Sequence, residues 1–126
     1  EAARGIKADA RRAIELDPDY AWAHHVLGRW HREVDSLGTI ARFFTKMLYG
    51  GLPEASVEEA VYHLEKATEL DPDSLSHFLE LGFAYAAAGE DDLARKNFER
   101  GLNMPSREKH DDSAKARARK ALQQLG

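Results

Sequence analysis

Six histidines and several paired carboxylates are the residues of this 126-residue chain whose types could support metal binding or acid–base chemistry. His24 and His31 lie seven residues apart, which is two turns or roughly 10 Å along a helix, too far for both to ligate one ion. His24 and His25 are adjacent, so a helix would separate their directions by about 100°. We therefore expect no metal or other cofactor, and we expect His24 and His31 to pack inside the protein.

The paired carboxylates, Glu58 with Glu59 and Asp91 with Asp92, could in principle act as general acids and bases. Each pair falls in the first turn of a predicted helix, where the positive end of the helix dipole stabilises negative charge. The sequence also lacks the motifs G-x-x-x-x-G-K-[ST], G-x-G-x-x-G, H-E-x-x-H and G-x-S-x-G. We expect these carboxylates to cap helices and the protein not to be an enzyme.

The composition argues against several other classes of protein. A formal net charge of -4 does not favour nucleic-acid binding, which needs a basic surface. Without cysteine, disulfides and thiolate metal sites are excluded. No apolar run approaches the roughly 20 residues that cross a bilayer, and residues 1–16 do not resemble a signal peptide. We expect a soluble chain, and the sequence indicates no particular compartment.

The spacing of small and aromatic residues predicts a helical repeat. The tetratricopeptide (TPR) pattern W-x2-L-G-x2-Y…A-x3-F…P is matched, apart from its first residue, by Phe78, Leu81, Gly82, Tyr85, Ala94, Phe98 and Pro105. The frame recurs 54 residues upstream as His24, Leu27, Gly28 and His31. Because a TPR repeats at about 34 residues, the first full repeat carries 20 extra residues. The resemblance implies an all-α, TPR-type α-solenoid of antiparallel helix pairs, with an inserted helix and a C-terminal capping helix.

This frame divides the single domain, residues 1–126, into four parts. They are the second helix of an incomplete repeat (2–16), an enlarged repeat (19–72) with an insertion (36–55), a complete repeat (74–105) and a capping helix (107–125). Ser56 and Glu59 form a predicted capping box, and Gly89 suits a left-handed helix end. Glycine at positions 28 and 82 indicates close packing between helices, where a Cβ atom would clash.

The insertion is rich in large apolar side chains, and we predict an extra helix of about three turns there. Its apolar residues include Ile40, Phe43, Phe44, Met47 and Tyr49. Such a helix must be buried, either inside the same domain or against a partner or lipid. The capping helix carries a basic run, Lys115, Arg117, Arg119 and Lys120, which we expect to be a solvated face. Attraction of anionic lipid or acidic protein tails is the alternative.

The first helix of each TPR lines the concave groove, so the frame predicts which side chains face a ligand. They are Trp22, His25, Arg29 and Arg32 in one repeat, and Ser76, Leu79, Phe83 and Ala86 in the next. One wall is aromatic and basic and the other is apolar. This surface suits an amphipathic anion, such as an acidic peptide with apolar anchors or a phospholipid. Alternatively, the inserted helix fills the groove itself.

Residues 20–72 resemble the regulator of microtubule dynamics family more specifically. The resemblance is carried by Leu27-Gly28-Arg29-Trp30, by the apolar insertion, and by the run from Leu52 to Ala60, LPEASVEEA. It implies a TPR-like domain that follows a membrane anchor in eukaryotic members, which associate with mitochondria or microtubules; one member tethers mitochondria to endoplasmic reticulum and can hold phospholipid. The acidic balance of this chain does not favour binding to acidic tubulin tails.

Three functions remain open at this level. The first is a non-enzymatic scaffold that binds a protein or peptide segment in the groove. The second is a phospholipid-binding or membrane-contact module. The third is self-association as a homodimer through the helix at residues 2–16, whose own partner helix is missing from the predicted repeat.

Overall fold

The structure, a computed structural model, describes residues 2–35 and 56–125, and this part of the chain is all-helical. Its six helices are α1 (Ala2–Leu16), α2 (Ala21–Asp35), α3 (Val57–Leu70), α4 (Leu75–Ala87), α5 (Asp91–Leu102) and α6 (Asp111–Gln124). They occupy the segments in which the sequence predicts helices. The predicted inserted helix, with Ile40, Phe43, Phe44, Met47 and Tyr49, lies outside the described residues.

Each described helix packs against the next described one along the chain. The most extensive contacts join α2 to α3 and α4 to α5, and these two pairs meet where α3 contacts α4. In addition, α2 contacts α4, and α4 contacts α6. Helices α2, α4 and α6 therefore share one side of the molecule, and α4 lies between the other two.

Glycines lie at the closest approaches of the helix pairs. A Cβ atom on Gly28 would be 2.6 Å from Cγ of Leu64, and one on Gly82 would be 2.6 Å from Cδ1 of Phe98. Real Cβ atoms do not approach other heavy atoms this closely, so the expected close packing at both positions is confirmed. Gly89 ends α4 with a φ of 79°, the left-handed conformation that glycine adopts without strain.

Two apolar clusters form the described core. One joins α4, α5 and α6 through Leu75, Leu79, Ala94, Phe98, Ala114 and Ala118. The other joins α3 to α4 through Ala60, Leu64, Leu81 and Ala84. Ala121, Leu122 and Leu125 pack against the first cluster, so the apolar face of the terminal helix covers the end of the α4–α5 pair.

At the start of α3, only one of the two hydrogen bonds of the predicted capping box forms. Oγ of Ser56 accepts the backbone N–H of Glu59 at 3.2 Å, as predicted. The prediction of the reciprocal bond, from the Ser56 N–H to the Glu59 side chain, is wrong, because that N–H donates to Nδ1 of His31 at 3.1 Å. The carboxylate of Glu59 lies instead 3.3 Å from Nε2 of His63. A long-range imidazole therefore replaces the local glutamate and attaches the start of α3 to α2.

Candidate functional site

A pocket of about 160 Å³ lies where α2, α4 and α6 meet. The side chains around it are Trp22, His25, Arg29, Ser76, Leu79, Glu80, Phe83, His110, Ala114 and Arg117. Six of the eight predicted groove residues are among them, and equivalent positions of the two helices that carry them lie 54 residues apart in the sequence. The two others are Arg32 and Ala86. The structure thus brings together side chains that only the repeat frame related to one another.

Arg32 does not line this pocket but contacts two residues that do. Its guanidinium is 2.9 Å from the Glu80 carboxylate and 5.3 Å from the ring centroid of Phe83. Ala86, the predicted counterpart of Arg32, packs against the core cluster of α4, α5 and α6.

Glu80 changes the electrostatics that the sequence predicted for the groove. Its side chain is 6% exposed and lies 2.9 Å from Arg32 and 4.0 Å from Arg29. Arg29 also donates to Glu33 at 2.7 Å, and this hydrogen bond raises the pKa of Arg29. A buried carboxylate is costly unless it is paired. Both arginines that the sequence predicted to contact an anion thus also contact carboxylates of the protein itself.

Trp22 forms the exposed aromatic edge of the pocket. It is 41% exposed, and its ring centroid lies 4.6 Å from that of His25 and 4.8 Å from that of His77. Two imidazole rings thus hold the indole in one orientation. An exposed tryptophan that is already ordered loses little conformational freedom when a ligand covers it.

The imidazoles of α2, α3 and α4 form two pairs that meet through their Nδ1 atoms. Nδ1 of His25 lies 2.8 Å from Nδ1 of His77, and Nδ1 of His24 lies 3.1 Å from Nδ1 of His63. In each pair one of the two facing nitrogens must carry a hydrogen and donate it, and the other must accept the hydrogen bond. Nε2 of His24 lies 2.8 Å from the Pro18 carbonyl oxygen and donates to it.

Burial lowers the pKa of three of these rings. Together with smaller contributions from His77, Arg29 and Arg32, it lowers the pKa of His25 to about 3. Burial also lowers the pKa of His63 to about 4 and that of His77 to about 4, although Asp71 opposes the shift of His77. The two pairs are polar parts of the helix interfaces, and the 4% exposure of His24 confirms the interior position predicted for it.

The repeat frame missed the pocket residues that do not belong to the first helix of a repeat. His110, Ala114 and Arg117 come from α6 and the residue before it. Glu80 was missed as well, although a carboxylate between Leu79 and Leu81 in an otherwise apolar helix is a signal that could have indicated a buried ion pair.

Within residues 2–35 and 56–125, no group of three or more histidine or carboxylate side chains is arranged to hold a metal ion. Among the helices of the same part of the chain, none is both long enough and apolar enough to span a bilayer.

Comparison with known proteins matches the whole chain, residues 1–126, to the family model described as Regulator of microtubule dynamics protein 1-3. Regulator of microtubule dynamics protein 2 of Bos taurus is 29% identical over 116 residues, which are 91% of this chain and 28% of that protein. Protein 1 of Mus musculus is 29% identical over 118 residues, 93% of this chain and 39% of that protein. Protein 3 of Xenopus laevis is 39% identical over 67 residues, 53% of this chain and 14% of that protein.

The matches show two things about this chain. It spans well under half the length of these curated relatives. The family match also extends beyond residues 20–72, where the sequence resemblance was recognised, to α1 and to the three C-terminal helices. The chain belongs to the regulator of microtubule dynamics protein 1-3 family.

Proposed function

We propose that this domain is a non-enzymatic, TPR-type helical repeat that binds a segment of another protein in the groove lined by α2 and α4. The observation that carries the proposal is the pocket itself, where residues assigned to the groove by the repeat frame converge from both helices. Its walls combine an exposed tryptophan with apolar and basic side chains. Aromatic residues and arginine are the types enriched at protein interfaces.

The packing of the two helix pairs supports the TPR-type assignment. Gly28 of α2 meets Leu64 of α3, and Gly82 of α4 meets Phe98 of α5. The two contacts span 36 and 16 residues, and the difference of 20 equals the length of the insertion. The same glycine contact is thus made in both pairs once the insertion is set aside.

The names of the relatives describe regulators of microtubule dynamics. We propose that this domain supplies a protein contact for such a regulator, with the groove as its binding surface. The partner need not be tubulin, because the chain carries a formal net charge of -4, and this charge disfavours attraction to acidic tails.

The alternative functions predicted from the sequence have weaker support. Phospholipid binding required free arginines in the groove, whereas Arg29 and Arg32 contact carboxylates of the protein. Self-association through α1 is consistent with the exposure of Ile6 (47%) and Leu16 (75%), although isolated exposed apolar residues are normal on protein surfaces. Peptide binding is therefore the function that we propose.

Selection of random linear peptides displayed on phage would test this function. We expect selected peptides to bind the unaltered protein and to lose at least about tenfold in affinity with Trp22→Ala, because aromatic anchors dominate such interfaces. Tyr62→Ala is the matched control, since Tyr62 is an exposed aromatic residue of α3 (58%) that does not line the pocket. Failure to select any peptide that is sensitive to Trp22→Ala would contradict the proposal.

A further inference from the structure

We propose that the groove selects an acidic segment with one large apolar anchor, and that Arg117 of α6 binds the carboxylate beside that anchor. The proposal rests on the proposed function and specifies the partner of the same site. The repeat frame predicted contact with an anion on α2, whereas Arg117 lies on the terminal helix, on the opposite side of the pocket.

The interior of the pocket fits an apolar side chain. Leu79 is 2% exposed and Ala114 is 9% exposed, and together with Phe83 they give the pocket an apolar lining. A volume of about 160 Å³ is many times the roughly 10–15 Å³ that one ordered water requires. The space therefore accepts a whole side chain, and Trp22 at the edge offers a face against which an aromatic or aliphatic anchor can pack.

The arginines of α2 already contact carboxylates of the protein. Arg32 donates from Nε to Glu80 at 3.0 Å, and Arg29 donates from Nε to Glu33 at 2.7 Å and lies 4.0 Å from Glu80. A ligand carboxylate at Arg32 would have to compete with Glu80, and displacing this buried carboxylate is costly, since its charge would lose a partner. At Arg29, whose side chain is 48% exposed, a ligand carboxylate would share the guanidinium with Glu33.

Arg117 differs from these two arginines in its contacts. It is exposed and lines the pocket from α6, and no carboxylate of the described residues lies within ion-pair distance of it. Lys115, its neighbour on the same helix, donates to the Met104 carbonyl oxygen and does not line the pocket. A free guanidinium at the edge of an apolar pocket binds a carboxylate with two parallel hydrogen bonds. This charge complementarity identifies the partner as an acidic segment, although the whole chain is itself acidic.

The peptides selected on phage test this inference as well. We expect enriched sequences to share an aromatic or large aliphatic residue next to aspartate or glutamate. A synthetic peptide of that sequence should bind Arg117→Glu about five- to tenfold more weakly than the unaltered protein, as expected for reversal of a partly exposed ion pair. The same peptide with its acidic residue changed to lysine should regain affinity for Arg117→Glu.

Arg119→Glu is the matched control, because Arg119 is exposed on the same helix, carries the same charge and does not line the pocket. Equal losses for Arg117→Glu and Arg119→Glu would overturn the inference, since they would show a general effect of net charge. Peptides that depend on Trp22 but contain no acidic residue would also overturn it and would leave the proposed function intact. Peptides insensitive to Trp22→Ala would overturn both.

Two further probes distinguish the contribution of the apolar anchor from that of the charge, and a peptide ligand from a lipid surface. A polyglutamate peptide without an apolar residue should bind at least tenfold more weakly than the selected peptide, because the pocket would stay empty. The unaltered protein should bind poorly, and equally, to phosphatidylcholine vesicles with and without phosphatidylserine. Binding to the anionic vesicles that is lost with Arg117→Glu would overturn the assignment of a peptide partner.

Discussion

The two helix pairs of this domain use the same frame with different chemistry. In the histidine interface, between α2 and α3, His24 pairs with His63, while His31 stacks parallel to His63 with centroids 6.3 Å apart. In the phenylalanine interface, between α4 and α5, the buried ring of Phe98 meets that of Phe83 with centroids 5.0 Å apart. Both interfaces place a glycine against the opposing helix. The backbone arrangement therefore depends on the glycine contact more than on the polarity of the side chains around it.

The difference matters because the two interfaces respond to different conditions. The phenylalanine interface gains its stability from apolar burial, which scales with the area removed from water. The histidine interface depends on the hydrogen bond between His24 and His63, and a second imidazole pair, His25 with His77, joins α2 to α4. Each pair must keep one unprotonated nitrogen. Substitutions should thus have their largest effect in the phenylalanine interface, and acid should act on the two imidazole pairs of α2.

The largest loss is expected in the phenylalanine interface. Phe98 is 0% exposed, and Phe98→Ala should lower the free energy of unfolding by about 4 kcal/mol, because it removes a buried ring and leaves a cavity. Leu64→Ala, at the equivalent position of the histidine interface, should cost about 3 kcal/mol, since fewer buried atoms are deleted. Urea unfolding followed by circular dichroism measures both, and an equal or larger loss for Leu64→Ala would contradict this ranking.

Acid should act through the histidines. In the unfolded chain these rings bind protons below about pH 6.5, whereas in the folded protein the pKa is about 3 for His25 and about 4 for His63 and His77. The unfolded state therefore binds more protons in this range, so stability is full above pH 6.5 and decreases as the pH falls towards 4. We expect a loss of at least about 3 kcal/mol over this interval, which is the linkage expected from one such group alone.

The measurement is the urea midpoint as a function of pH. A double variant, His25→Gln with His77→Gln, should show a shallower decrease than the unaltered protein, whatever its stability at neutral pH. An equal slope for both proteins would show that other groups cause the acid sensitivity.

The glycine contacts should be needed in both interfaces. Gly28→Ala and Gly82→Ala should each lower the free energy of unfolding by about 2 kcal/mol, since the added Cβ atom overpacks the interface. Gly5→Ala in α1 is the control, because no atom lies within 4 Å of the Cβ position; it should raise stability by up to about 0.8 kcal/mol through helix propensity. Thermal unfolding would contradict this if all three substitutions had the same sign.

The smallest effect concerns the helix starts. Ser56→Ala removes the side-chain bond to the Glu59 N–H and should cost about 1 kcal/mol. Ser74 occupies the equivalent position before α4 but makes no side-chain capping bond, so Ser74→Ala should change stability by less than about 0.5 kcal/mol. Equal losses in chemical denaturation would show that Ser56 does not stabilise α3 through its cap.

Much of the fold could be predicted because its determinants are local. Pro18 ends α1, Ser56 begins α3 and Gly89 ends α4 through their own backbone or side-chain chemistry. The repeat frame added information over longer distances, since it related the pocket residues of α2 to those of α4. The family was also recognisable from short runs of sequence, and the match to the whole chain confirms that resemblance.

The site was less predictable because its charges depend on contacts between helices. The ion pair of Arg32 with Glu80 joins residues 48 positions apart, and no sequence period relates them. The same is true of the His31 bond to the Ser56 N–H, which replaced half of the predicted capping box. Arg117 was predicted as part of a solvated basic face, and its place beside the groove follows from the contact of α4 with α6.

Glu80 also competes with any anion that approaches Arg32 on the α2 side of the groove. As a tethered counterion it competes with external anions at a high effective concentration, in the millimolar range or above for groups linked within one chain. A free anion such as phosphate or acetate must therefore compete with this internal carboxylate for Arg32. Apolar surface meets no such competition, so the Glu80 contact favours apolar ligands over small anions on this side of the pocket.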